Sequence, residues 1–268
     1  MNEINVISAT IKKDFLIALS YRFNFIVSII SSFFFLFIFF NFSQLTSGSD
    51  YLGEYSENTF AYYVIGIAVL DLAMTMSSRG ANSIRGMQSN GTFEELFIFN
   101  KKPLIIIVSV FAYPLFYSLF RIFLLLSIGT IFFELQISKE FNLLVLLITY
   151  LLSIFSFVGI GMISASLIII LKRGDFINSL NLFLSVGIGG VLFPAQMLND
   201  FIVYISNFLP ITHILGIFRA ELIGANEAEY LSNLYALASI SILLIILGLS
   251  SSIIAIKFCK NNGSLGHY

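Results

Sequence analysis

Long apolar runs recur along the chain, and a short polar segment separates each run from the next. A helix that crosses a membrane needs about 20 mostly apolar residues. Six runs reach or approach that length, and each of them predicts a transmembrane helix. The six predicted spans are residues 24–42, 59–78, 104–133, 142–171, 176–193 and 231–256.

A different pattern precedes the first span. Apolar side chains recur there at intervals of three and four residues, which places them on one face of a helix. These positions are Ile4, Ile7, Ile11, Phe15 and Ala18. Charged residues stand between them, as is typical of a helix that lies along a membrane surface. The N-terminal segment 1–22 therefore predicts an interface helix over residues 4–21, with packing on the protein itself as the alternative.

The segment between the fifth and sixth spans is harder to place. Residues 201–218 are apolar enough for a span, but they contain Pro210 and His213. Lysine and arginine favour cytoplasmic loops, and six spans with both termini inside put most of the 14 basic residues on that side. A conventional seventh span weakens this separation. We therefore predict an external re-entrant helical hairpin over residues 195–229.

Composition limits the class of protein further. The 268 residues are 58% hydrophobic and 11% charged, whereas soluble domains carry about 25% charged residues. The net charge is -1, so we expect membrane lipid but no nucleic acid as a partner. One cysteine and two histidines predict neither an internal disulfide nor a metal site. The pattern predicts an all-α membrane protein with a single transmembrane domain over residues 1–268.

The polar segment 79–103 carries an informative local pattern. Thr92, with Glu95 three residues later, forms a capping box that predicts the start of a short helix. Pro103 disfavours helix at the residue before it. The aromatic and acidic side chains of this helix suit either a partner's groove or the lipid interface. The candidate contact residues are Thr92, Phe93, Glu94, Glu95, Leu96 and Phe97.

Two ionisable residues fall inside predicted spans, and such residues are functional hypotheses by default. Counted from the inner ends of their apolar runs, Asp71 lies about 10 Å deep and Arg121 about 25 Å deep. The two match in depth only if residues 104–112 lie partly in the cytoplasm. A salt bridge, contact with substrate, outward snorkelling of Arg121 and a kink capped by Asp71 all stay open.

No motif for covalent chemistry accompanies these residues. The sequence lacks G-x-x-x-x-G-K-[ST], whose backbone and lysine bind nucleotide phosphates, and it lacks H-E-x-x-H. We expect no catalytic residue, no cofactor and no enzyme activity in this polypeptide.

Two stretches resemble the type-2 ABC-transporter permeases. The first is residues 90–96, NGTFEEL, followed by Pro103, and it is similar to the family's Gly-Thr-Leu-Glu-x-Leu…Pro pattern. Phe93 stands where that pattern has leucine. The second is similar to the family's external signature. It comprises Gly190, Phe193-Pro194, Leu209-Pro210-Ile211-Thr212-His213, Phe218-Arg219 and Gly224.

The resemblance implies a permease that pairs with a second permease copy, identical or related, and binds a separate ABC ATPase subunit that holds ATP and magnesium. Residues 92–99 would be the coupling helix seated in the ATPase, and the interface helix would add a second contact. The external hairpin would gate substrate exit through Phe193, Pro194, Pro210, His213 and Arg219. The function implied is export of an amphiphile (a lipid, drug or glycoconjugate) across the plasma (inner) membrane, with both termini cytoplasmic.

Two other classes of function stay open. An ion-coupled secondary transporter would use Asp71 and Arg121 as a relay and need no ATPase, although no inverted repeat of the kind many such transporters have is visible. A membrane assembly factor that moves no solute is the third class.

Overall fold

A computed structural model describes residues 3–47, 55–56, 58–92, 103–138, 140–171, 176–224 and 230–262. Within these ranges the regular elements are all helices. In chain order they are α1 (Glu3–Ser20), α2 (Arg22–Thr46), α3 (Thr59–Ser89), α4 (Pro103–Ser109), α5 (Ala112–Phe133), α6 (Leu143–Leu171), α7 (Phe176–Gly187), a 3-10 turn (Ala195–Met197), α8 (Asp200–Ser206), α9 (Pro210–Ile223) and α10 (Tyr230–Asn262).

The described helices are consistent with a multi-pass membrane protein. Five are long and apolar enough to cross a membrane when α4 and α5 count as one. They are Phe25–Thr46, Thr59–Ser89, Leu104–Phe133, Leu143–Leu171 and Tyr230–Cys259. Hydropathy locates these five because a chain in lipid must satisfy its backbone hydrogen bonds within the helix itself. The all-helical class and five of the six predicted spans are therefore confirmed at this level.

The helix α3 lies at the centre of the bundle, and α2 lies at its edge. In α3, 72% of the most apolar window is buried inside the protein, whereas in α2 only 11% is buried. The exposed face of α2 is lined with phenylalanine, including Phe34, Phe35 and Phe37. An apolar face of this size requires an apolar environment.

The fifth apolar run forms a shorter helix than predicted. The expected span over residues 176–193 ends at Gly187, so that α7 has 12 residues and rises about 18 Å, which is short of the ~30 Å hydrocarbon core. The amides of Ile188 and Gly189 both donate to the Leu184 carbonyl. Gly190 then adopts φ 87°, a conformation open to glycine because it lacks a Cβ. The chain turns out of the helix at this point.

A bent helix pair follows the turn where the external hairpin was predicted. The helices α8 and α9 meet at 88°, and by length and composition they form either a re-entrant loop or a broken sixth span. Pro210 occupies the first turn of α9, where its missing N–H costs nothing. Gly224 ends α9 with φ 78°. Residues 225–229 of the predicted hairpin lie outside the described residues.

The helix α3 is longer than its apolar run predicts. It continues to Ser89, so Arg79 and Arg85 lie on a helix, although the sequence assigned them to a loop over residues 79–103. Gly91 leaves the helix with φ 68°, and Thr92 follows it. The rest of the predicted coupling helix, with Phe93, Glu94, Glu95, Leu96 and Phe97, lies outside the described residues and stays a prediction.

Small residues bring α6 and α10 into close contact. A Cβ at Gly159 would lie 2.5 Å from the Leu244 carbonyl oxygen, and a Cβ at Gly248 would lie 2.7 Å from the Gly159 carbonyl oxygen. In the same interface the Ser156 hydroxyl donates to the Ser241 hydroxyl at 3.0 Å. Glycine and serine at such positions allow helices to approach closely and to form hydrogen bonds between them.

We expect Gly159→Ala to lower the free energy of unfolding by about 2 kcal/mol, because overpacking costs about 1–3 kcal/mol. The added methyl group meets backbone atoms, which cannot rotate away. Gly86→Ala is the matched control, since a Cβ there meets nothing within 4 Å. Thermal unfolding in mild detergent compares the two variants, and equal midpoints would contradict the close approach of α6 and α10.

Candidate functional site

The two intramembrane charges are joined as a bidentate ion pair. Arg121 Nε donates to Asp71 Oδ2 at 3.1 Å, and Arg121 Nη2 donates to Asp71 Oδ1 at 3.0 Å. Arg121 Nη1 donates to the hydroxyls of Ser28 and Ser32 at 2.7 Å and 2.9 Å. Parallel N–H···O bonds of this kind are among the strongest that proteins form. The pair holds α2, α3 and α5 together at one point.

The depths of the two charges agree when they are counted from the helix ends at Thr59 and Phe133. Each residue lies 12 residues from a helix end, Asp71 from Thr59 and Arg121 from Phe133. At 1.5 Å per residue both lie about 18 Å from those ends. The mismatch expected from the sequence arose because the depth of Asp71 was counted from the end of its apolar run at residue 78, whereas α3 continues to Ser89. Of the alternatives left open, the structure has the salt bridge.

A cavity of about 320 Å³ lies beside this ion pair. Its polar lining consists of Ser31, Ser32, Asp71 and Arg121. Its apolar lining consists of Phe35, Ile67, Leu70, Met74 and Leu125. The side chains of Arg121 and Asp71 remain 15% and 26% exposed. The volume falls at the lower end of small-molecule sites, which span about 300–1,000 Å³, so a small polar group can reach the pair.

Arg219 is buried inside the bundle, with 4% of its surface exposed. Its guanidinium lies 3.4 Å from the centre of the Tyr62 ring. It donates to the carbonyl of Gly190 at 2.8 Å and to those of Val191 and Tyr62 at 3.3 Å. The Tyr62 hydroxyl donates to the same Gly190 carbonyl at 2.8 Å. Within the described residues, carbonyl dipoles and an aromatic ring balance the charge.

The other predicted gate residues are spread along the same segment. His213 Nε2 lies 2.8 Å from the Asn207 carbonyl, and Nδ1 lies 2.9 Å from Asn233 Oδ1, so His213 connects the bend between α8 and α9 to α10. Pro210 is the first residue of α9, and Phe193 and Pro194 lie in the turn before Ala195–Met197. The structure thus places Pro210, His213 and Arg219 in one helix and Phe193 and Pro194 in an earlier turn.

A charge pair that the sequence analysis missed ties α1 to α3. Arg79 Nη2 donates to Asp14 Oδ2 at 2.7 Å, and the Asp14 side chain is only 5% exposed. The hydroxyls of Thr10 and Ser109 lie 3.2 Å apart and join α1 to α4. The signal was present in the sequence, because Asp14 follows Ile11 by three residues and so lies on the predicted apolar face.

The C-terminal part of α1 carries exposed apolar side chains. These are Phe15, Leu16, Ile17 and Leu19. The helix therefore packs on the protein at Asp14 and leaves apolar side chains free after it, as a helix at a membrane interface requires. Packing on the protein is therefore observed for part of this helix, and the position of residues 4–21 at a membrane interface stays a prediction.

The fold and the site define an all-helical protein with several candidate membrane spans and an ion pair among them. No family model and no curated protein matches the chain at a significant level. The likeness to type-2 ABC permeases therefore depends on the two sequence motifs and on the geometry of their described residues.

Proposed function

We propose that this chain is the membrane-spanning permease of an ABC exporter. It works as a pair, either with a second copy of itself or with a related permease. A separate ATPase subunit hydrolyses ATP and drives an amphiphile outward across the plasma membrane. The bent pair α8–α9 supplies the external hairpin, and the short helix α7 together with the turn that follows it takes the place of the fifth span.

The observation that carries this proposal is the geometry of the external signature. Gly190 offers its carbonyl to Arg219 from a backbone conformation with φ 87°, and Gly224 ends α9 with φ 78°. His213 bonds to the bend that precedes its own helix. Of these motif residues, Gly190 and Arg219 meet in one buried cluster although 29 residues separate them, which favours a structural unit over a chance match.

The attachment of α1 is a second line of support. Asp14 joins the predicted interface helix to Arg79, which lies in the part of α3 that leads to the predicted coupling helix. An ATPase that contacts both segments would thus act on one connected unit. A connected unit of this kind can act as a two-state element, and the binding of a ligand then shifts its equilibrium.

A second candidate function is favoured by the ion pair. A carboxylate among membrane spans and beside a cavity has the character of a proton or ion site. In an ion-coupled secondary transporter, protonation of Asp71 would release Arg121 and change how α3 and α5 pack. This mechanism needs no ATPase and follows a proton gradient.

Affinity purification from native membranes separates the two candidates. We expect an ATPase with nucleotide-binding motifs to copurify with the wild type and to be lost in Glu95→Arg, because the reversed charge disrupts the predicted coupling helix. Glu140→Arg is the matched control, since it reverses an exposed glutamate before α6. The same three proteins are then assayed for ATP-dependent export.

Two results would overturn the exporter proposal. One is the absence of any ATPase after purification in several mild detergents. The other is transport that follows an imposed proton gradient and continues without ATP. Either result together with a requirement for Asp71 would favour the ion-coupled transporter.

A further inference from the structure

The cavity beside the ion pair opens towards the edge of the bundle. It lies where α2, α3 and α5 meet, and its outer rim includes the exposed side chains of Ser31 and Phe35. Because α2 has little of its apolar surface buried, a molecule in the surrounding apolar phase reaches this rim without passing through the protein. The entrance suits a ligand that carries an apolar chain.

The hydrogen-bonding groups of the ion pair are only partly used. Arg121 commits four of its five N–H donors to Asp71, Ser28 and Ser32. The carboxylate of Asp71 accepts two of the roughly four hydrogen bonds available to it. The Ser31 hydroxyl donates to the Ser28 carbonyl and keeps its acceptor sites. The cavity therefore offers several acceptors and one donor.

The charges of Asp71 and Arg121 set a second condition on the ligand. Asp71 and Arg121 cancel each other, so the cavity wall has no net charge. A headgroup with a net charge would leave that charge unpaired in surroundings of low polarity, which is costly. A hydroxyl group is uncharged, and it both donates and accepts. Hydroxyl groups can donate to the acceptor sites of Asp71 and Ser31 and accept from the remaining N–H of Arg121.

We propose that this cavity binds the hydroxylated headgroup of an uncharged amphiphile. The headgroup contacts Asp71, Arg121 and Ser31, and the chain lies along Phe35 and Leu70. The volume suits one small headgroup, such as a single sugar or a glycerol. Binding as such does not depend on the exporter proposal, whereas naming this amphiphile as the exported substrate rests on it.

The test uses the full-length protein in lipid nanodiscs and a photoreactive decyl glucoside whose diazirine is on the alkyl chain. We expect mass spectrometry to place the crosslinks on Phe35, Leu70 or Met74. Unlabelled decyl glucoside should displace the probe at a concentration at least tenfold below that of decyltrimethylammonium or decyl sulfate. The three competitors share one chain and differ in headgroup charge.

Two serine variants distinguish the cavity from general partition into lipid. Ser31→Leu fills the rim and leaves every contact of the ion pair in place, and we expect it to reduce labelling at least tenfold. Ser239→Leu is the matched control, because Ser239 is exposed on α10 and makes the same type of bond, to the carbonyl three residues earlier. It should label like the wild type.

Three outcomes would overturn the binding proposal. They are equal displacement by all three amphiphiles, crosslinks spread over other helices, and full labelling of Ser31→Leu. Copurification of the ATPase is scored on the same preparations. A bound ATPase without cavity labelling removes the binding proposal alone, and cavity labelling without an ATPase removes the exporter proposal alone.

Discussion

Replacing Arg219 by methionine is expected to lower the free energy of unfolding by about 3 kcal/mol. The variant loses the stacking on Tyr62, since a desolvated cation–π contact contributes about 2 kcal/mol. It also leaves the buried Val191 carbonyl without its arginine donor, which costs about 1–3 kcal/mol. The Gly190 carbonyl still receives the Tyr62 hydroxyl. Removing a buried charge recovers part of its desolvation cost, which keeps the expected loss near 3 kcal/mol.

Thermal unfolding in mild detergent measures this loss. At roughly 2–4 °C per kcal/mol for a chain of this size, we expect Arg219→Met to lower the midpoint by about 6–12 °C. Arg85→Met is the control, because it removes an exposed arginine from α3. Arg219→Lys keeps the charge but lacks the planar fork that reaches several carbonyls, so its midpoint should fall in between. If Arg219→Met unfolds like Arg85→Met, the buried cluster does not stabilise the fold.

The sequence predicts the long helices well because the physics that sets them is local. A span must be apolar over about 20 residues, and its backbone must bond within itself, so the runs that became α2, α5, α6 and α10 are visible in any window of that length. The capping box at Thr92 is a local signal of the same kind. Its helix lies outside the described residues, so that prediction stays as it was.

The predictions fail where distant residues decide the structure. Arg79 looked like the start of a loop, but the buried carboxylate of Asp14, 65 residues away, pairs with it on an uninterrupted α3. The fifth run has the hydropathy of a span, yet its chain turns at Gly189 and Gly190. Gly-Gly followed by Pro194 was a readable turn signal that the length criterion outweighed.

In the candidate site, too, the sequence predicts local features and misses those that distant residues decide. The sequence finds Arg219 as a motif residue but places it on an external hairpin. Its burial follows from Tyr62, which is 157 residues away, and from a carbonyl that a turn at Gly190 presents. Likewise Asp71 and Arg121 are easy to find as charges in apolar runs. Their equal depth is visible from the ends at Thr59 and Phe133, but the end of the apolar run at residue 78 misleads because it is not the end of α3.

The Asp71–Arg121 pair yields the second large prediction. Asp71→Leu leaves the guanidinium without its counter-ion among the spans, and Arg121→Met leaves the carboxylate alone. Breaking a buried pair from one side costs about 3–5 kcal/mol, and we expect each single variant to lose stability near the lower value because both side chains are partly exposed. The double variant should recover most of that loss, since replacing both charges by apolar groups is close to neutral.

Thermal unfolding of the two single variants and the double variant gives the coupling energy between the charges. Export assays on the same proteins show whether the charges are needed for transport or only for stability. A double variant that regains stability but not export identifies the charges as groups that contact the transported molecule, which is the result we expect. If stability and export return together, the pair only holds α3 and α5 in place. If the double variant is no more stable than the single variants, the two charges do not interact as the structure describes, and the pair does not hold α3 and α5 together.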